Sequence, residues 1–326
     1  MPSVLKQQRS GSFPDKTSRR AMDQWILRQR PPKNPIRSDR PYAFLIEEER
    51  MANGRVEKIG TYFLSNRECP FRCLMCDLWK NTTDDPVSPG AIPQQVLWAL
   101  PKLSGVKHVK LYNSGNFFDS KAIPRKDLPE IAALLSPFET VIIENHPRLA
   151  GQHCLDFRDQ LAGKLECAMG LETVHDGVLH KLNKRMTLSD FACATDYLVK
   201  NDIAVRAFIL LRPPFLDEDE GIEWAMRSLD FAFDIGVECC AIIPTRLGNG
   251  ALDALAVLGH FAEPKLASLE QVLAYGIGLQ KGRVFADLWD LQRFASCPAC
   301  FKTRAARLQK MNETQMLLPE ISCECL

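Results

Sequence analysis

The sequence predicts an α/β chain built on a partial (β/α)6 barrel, with an N-terminal hairpin and a small Cys-containing C-terminal unit. Three observations carry this expectation. Short apolar or β-branched runs recur at 106–112, 139–145, 164–172, 203–211 and 236–244, with helical stretches between them. Such alternation implies a parallel sheet joined by helical crossovers. Asn53-Gly54 lies between two strand-like runs, a strong hairpin signal, and the second arm leads into a sixth barrel strand at 61–65. Finally, cysteines gather at two places, 69–76 and 297–325.

Taken in order, residues 1–40 are rich in Ser, Arg, Pro and Lys without periodicity, and they read as a basic, flexible arm. A short helix is expected near 21–29, ended by the prolines at 31 and 32. Residues 41–281 form the barrel core with its leading hairpin. Within it, Asp217 is placed to cap a helix over 217–235, with acid at its positive end and Gly236 just beyond it. Thr187, Ser189 and Asp190 open another helix running to Lys200. Residues 282–326 read as a separate extension closed by the paired cysteines.

The 326 residues are 46% apolar and 25% charged, a globular composition. The net charge of +1 excludes a wholly electrostatic nucleic-acid binder. Charge is nevertheless uneven: residues 1–40 hold ten Lys/Arg against three Asp, with Phe13 and Trp25 among them. This arm is a candidate RNA grip, its cations neutralising phosphates and an aromatic stacking on a base. The bland alternative is a solvated tail. No apolar run reaches membrane-spanning length and no signal-peptide core is present, so a cytoplasmic protein is expected. In that compartment clustered cysteines point to metal rather than disulfides.

Cys69, Cys73 and Cys76 follow the strand at 61–65 with gaps of three and two residues. Three thiolates on one loop suit a [4Fe–4S] cube with one iron left open to a small molecule. Phe71, Met75 and Trp79 are placed to shield it. A zinc set or a chance grouping is the alternative. The run at 112–119 then offers Ser114, Gly115 and Asn116 in a turn after the second barrel strand. Glu144 and Pro147 follow the third strand, and Glu172 ends the fourth.

These residues resemble the radical S-adenosylmethionine (SAM) superfamily. Within its Elongator/methylthiotransferase/NifB-like group, residues 40–250 are most similar to the radical SAM subunits of archaeosine synthase and their relatives. The resemblance implies a partial radical SAM barrel and cleavage of SAM to a 5′-deoxyadenosyl radical. It also implies an electron donor such as flavodoxin or ferredoxin, a partner subunit, and tRNA as substrate. Ser114, Gly115 and Asn116 then become candidates for holding the SAM amino group. Glu144 and Glu172 become candidates for the amino group or ribose hydroxyls, against the alternative of ion-paired strand-end acids. Arg206 and Arg212 are candidates for the SAM carboxylate, since arginine binds carboxylates through two parallel hydrogen bonds. Each is equally a candidate for a structural ion pair. Asn183, Lys184 and Arg185 are candidates for the substrate side.

Cys297, Cys300, Cys323 and Cys325 form two tight pairs that suit zinc or a second iron–sulfur cluster, and spacing does not choose between these. Cys154, Cys167, Cys193, Cys239 and Cys240 read as small core residues. Two other functions stay open: a radical SAM enzyme acting on a peptide or small metabolite, and a noncatalytic iron–sulfur or zinc protein that binds nucleic acid.

Overall fold

A computed structural model describes residues 13, 14 and 18–323. Strand β1 (Ala43–Arg50) folds back antiparallel on β2 (Val56–Phe63) about the Asn53-Gly54 turn. Gly54 takes a φ of +79°, and the Asn53 side chain accepts the Arg55 N–H at 2.9 Å. From β2 onward every pairing is parallel: β3 (His108–Tyr112), β4 (Thr140–Glu144), β5 (Lys164–Glu172), β6 (Ala204–Leu211), β7 (Cys239–Pro244) and β8 (Arg283–Ala286).

The strands lie in chain order across one eight-stranded sheet. In a flat sheet β1 and β6 would stand about 24 Å apart. Yet Glu49 of β1 meets Arg206 of β6 at 2.6 Å, so the sheet is curled into a partial barrel.

In chain order the helices are α1 (Arg19–Gln29), α2 (Ala91–Ala99), α3 (Leu128–Leu134), α4 (Gln152–Arg158), α5 (Asp176–Lys181) and α6 (Leu188–Val199). They continue with α7 (Glu218–Asp234), α8 (Ala251–Val257), α9 (Leu266–Gly278) and α10 (Pro298–Thr314). Those from α2 to α9 fill the crossovers; α6, α7 and α9 pack directly on the sheet, whereas α8 joins α1 in a satellite core. Central strands buried on both faces read as continuous apolar runs, which is why β5 and β6 were visible in the sequence. Thr187 and Asp217 cap α6 and α7 in capping boxes with Asp190 and Glu220, and Gly236 takes φ +94° beyond α7. Among the described residues, no helix is long and apolar enough to cross a membrane.

Two regions differ from the sequence reading. Residues 283–286 are the last strand of the sheet rather than part of a separate unit. α10 packs on both β1 and β8 and covers the edge. Gln315 exchanges hydrogen bonds with the Val284 backbone at 2.7 and 2.8 Å, and Asn312 does so with Ala286 at 2.9 and 2.9 Å. Side-chain amides thus satisfy the open strand edge as a neighbouring strand would.

Residues 18–40 are not a loose arm either. Met22, Trp25 and Ile26 share one face of α1 and are buried in a satellite core with Leu74, Leu182 and Leu252. The remainder of the arm, residues 1–12 and 15–17, lies outside the described residues, as does Cys325.

Candidate active site

The C-terminal ends of the parallel strands open into one cavity of about 750 Å³, the end at which barrel chemistry is performed. β2 delivers the cysteine loop to this end. Cys69, Cys73 and Cys76 all line the cavity, with Phe71 and Met75 between them and Trp79 beside them. Asn183 fixes the loop by donating to the Arg72 carbonyl at 2.7 Å, and Asn249 by donating to the Leu74 carbonyl at 2.8 Å. Trp79 donates to the Cys76 carbonyl at 3.1 Å. Beneath the loop, Glu68 gathers Arg30, Lys33 and Arg72 at 2.7–2.8 Å.

Burial pushes the Cys69 thiol up to about 11 and those of Cys73 and Cys76 to about 12. Ligation of iron therefore has to release these protons. Asn116 donates to the Cys69 sulfur at 3.1 Å, a contact that suits a thiolate and tunes a cluster held there. A single tetrahedral ion with Zn–S of about 2.3 Å draws its sulfurs to about 4 Å apart. Among the described residues, the groups with three ligand atoms within 4.8 Å of one another are Cys297–Cys300–Cys323 and Glu57–His108–Glu139. The sulfurs of Cys69, Cys73 and Cys76 do not form such a tight group.

The turn after β3 closes over Glu144. The Asn113 N–H donates to its carboxylate at 3.1 Å. Burial pushes this carboxyl up to about 7, against the pull of the Asn113, Gly115 and Ser114 N–H groups. Ser114 takes φ +52° and shares a 3.0 Å hydrogen bond with Tyr42. Glu172 takes φ +66° and pairs with Lys184 at 2.6 Å. This pair lies across Gly170, where a Cβ would stand 2.0 Å from the Glu172 carboxylate and 2.3 Å from the Lys184 ammonium. Non-glycine residues held at positive φ concentrate where the surroundings overdetermine them, as they do here.

Ser114, Gly115, Asn116, Glu144 and Glu172 thus come together with the three cysteines on one cavity. Both arginines make ion pairs, the alternative the sequence reading held open for them. Arg206 lies at the cavity floor, 3% exposed, held by Glu49 and Glu166 at 2.6 Å each. Curling of the sheet brings in these acids, and they occupy the guanidinium. Arg212 is not among the cavity residues; it pairs with Glu218 at 2.6 Å and donates to the Glu263 carbonyl at 2.9 Å. Lys184 lines the cavity, whereas Asn183 and Arg185 bind Asp23 and so anchor α1.

Sequence reasoning missed His146, which stacks on Phe71 at 3.9 Å. Burial and the nearby Lys184 charge push its imidazole down to about 3, so it is neutral. Also missed was the floor cluster of Glu47, Glu49 and Lys110; a lysine inside the apolar run 106–112 was its one visible signal.

The second cysteine group lies where α10 begins. Cys297 and Cys323 bring their sulfurs to 3.9 Å. Arg307 holds the returning tail by donating to the Leu318 and Pro319 carbonyls at 2.8 and 2.7 Å. Of the presumed core cysteines, Cys154, Cys167, Cys239 and Cys240 are buried, but Cys193 is exposed on α6.

Comparison with known proteins matches this architecture. The solved structure of Methanocaldococcus infernus Elp3, lacking its N-terminus, superposes with a TM-score of 0.51 at 14% identity, covering 69% of this chain and 61% of that one. The chain shares the fold of that protein. The archaeosine synthase subunit beta of Thermococcus kodakarensis is 31% identical over 166 residues, 48% of this chain and 51% of the relative. That of Methanosarcina acetivorans is 27% identical over 266 residues, 76% of this chain and 75% of the relative. No protein-family model matches.

Proposed function

We propose that this chain is a radical SAM enzyme that modifies tRNA or another RNA. The observation that carries the enzymatic reading is the convergence of Cys69, Cys73 and Cys76 with Ser114, Gly115, Asn116 and Glu144 on one strand-end cavity. When bound, a [4Fe–4S] cluster supplies an electron that cleaves SAM to methionine and a 5′-deoxyadenosyl radical. The three thiolates hold iron, and Asn116 donates to the Cys69 sulfur. Ser114, Gly115 and Glu144 stand ready for the SAM amino group. Lys184, rather than Arg206 or Arg212, is the cation for its carboxylate, because it reaches the cavity wall from a single acidic partner. Phe71 and Trp79 exclude water.

The RNA reading is supported by the names of the two archaeosine synthase relatives and by Trp289, which lines the cavity mouth while 71% exposed. A cytoplasmic setting, a flavodoxin- or ferredoxin-type donor and a partner subunit complete this reading.

Anaerobic incubation with SAM and dithionite tests it. The reconstituted protein is expected to release 5′-deoxyadenosine and methionine, and Cys73→Ala to release neither. Equal release by both contradicts the assignment. Trp289→Ala is expected to weaken tRNA binding by about 1–3 kcal/mol if a base stacks there. Unchanged affinity shifts weight to a peptide or metabolite substrate.

A separate metal is proposed at Cys297, Cys300 and Cys323, with Cys325 as the candidate fourth ligand. The 3.9 Å sulfur separation favours zinc over a cluster. Metal analysis is expected to give about four irons and one zinc per chain. About eight irons without zinc contradicts this.

A further inference from the structure

Asn145 follows β4 directly, and its N–H donates to the Ala168 carbonyl at 2.9 Å. It lines the cavity and is 4% exposed, yet neither atom of its side-chain amide has a hydrogen-bond partner. Other polar side chains that line the cavity have partners. Glu144 accepts the Asn113 N–H, His146 is bonded to the Lys184 carbonyl, Lys184 to Glu172, Asn116 to Cys69 and Ser114 to Tyr42. Asn113 has a similarly unpartnered amide but does not line the cavity. A buried amide that bonds to nothing destabilises the protein that carries it, and its presence asks for an explanation.

We propose that Asn145 is a ligand-binding residue that reads the edge of a planar nitrogen heterocycle. A carboxamide offers a donor and an acceptor side by side, the complement of the N6/N7 edge of adenine and of related purine-like edges. The next residue, His146, stacks on Phe71 with the rings 12° from parallel, and both line the same cavity. Resting on the radical SAM reading, the inference allows two sources of this chemistry: the adenine of SAM, or a base of the RNA.

Two variants, Asn145→Leu and Asn145→Asp, test this by SAM binding to anaerobically reconstituted protein and by binding of bulk tRNA. One of the two affinities is expected to fall by about tenfold or more. Loss of SAM affinity identifies adenine; loss of tRNA affinity with SAM affinity retained identifies the substrate base. In the ligand-free protein, Asn145→Leu is expected to melt at the parental temperature or above, because no internal hydrogen bond is lost. The inference is overturned if neither affinity falls, or if ligand-free Asn145→Leu melts lower than the parent. Failure of the broader function is separately visible: a parent protein that binds SAM without cleaving it removes the enzyme and leaves Asn145 to be judged by affinity and melting.

Discussion

Glu49 and Arg212 mark what single residues contribute. Burial alone would push the Glu49 carboxyl up, but Arg206 and Lys110 outweigh it and hold Glu49 well below the usual carboxylate range. Glu49→Gln leaves two buried cations short of a partner, at a cost of about 3–5 kcal/mol near neutral pH. The wild-type advantage is present above the ordinary carboxyl value of 4.5 and is lost as pH falls toward the depressed native value. Urea unfolding at pH 7 and at about pH 3.5 should therefore show the gap between parent and variant narrowing in acid. A constant gap contradicts the ion pairing. Arg212→Ala should leave SAM affinity at the parental level, since its guanidinium is taken by Glu218 and the Glu263 carbonyl; a large loss of SAM affinity returns it to the site. The three cysteines were legible because their spacing on one loop is itself the chemical requirement. The sequence left Arg206 open between a ligand and an ion pair, because its acids come from β1 and β5, 157 and 40 residues away, and no local pattern records that meeting.

At the level of elements, the same contrast separates helix caps from helix docking. The capping boxes of α6 and α7 were readable because a cap is satisfied within three residues. Asp217→Ala should cost about 1 kcal/mol. The docking of α1 was not readable. Its charged face suggested a basic arm, while its apolar face waits on Leu74, Leu182 and Leu252 from distant loops. Asp23 then binds Asn183 at 2.8 Å across 160 residues. Trp25 is consequently a core residue, 4% exposed, rather than a base-stacking one. Trp25→Ala should destabilise by about 3–5 kcal/mol in denaturant unfolding. A loss below about 1 kcal/mol contradicts the packing.

For the molecule as a whole, the partial barrel was legible because alternating buried strands and helices leave few other architectures. Its closure was not, because β8 is only four residues long and α10 covers the edge through side chains rather than a strand pattern. A chain cut after residue 282 should lose the cooperative unfolding of the parent, and retained parental melting would make the extension dispensable. The proposed function requires a cluster held by Cys69, Cys73 and Cys76, with one iron open to SAM. The electron paramagnetic resonance spectrum of the reduced, reconstituted protein tests this most directly. Adding SAM is expected to change the cluster signal; an identical signal with and without saturating SAM contradicts it.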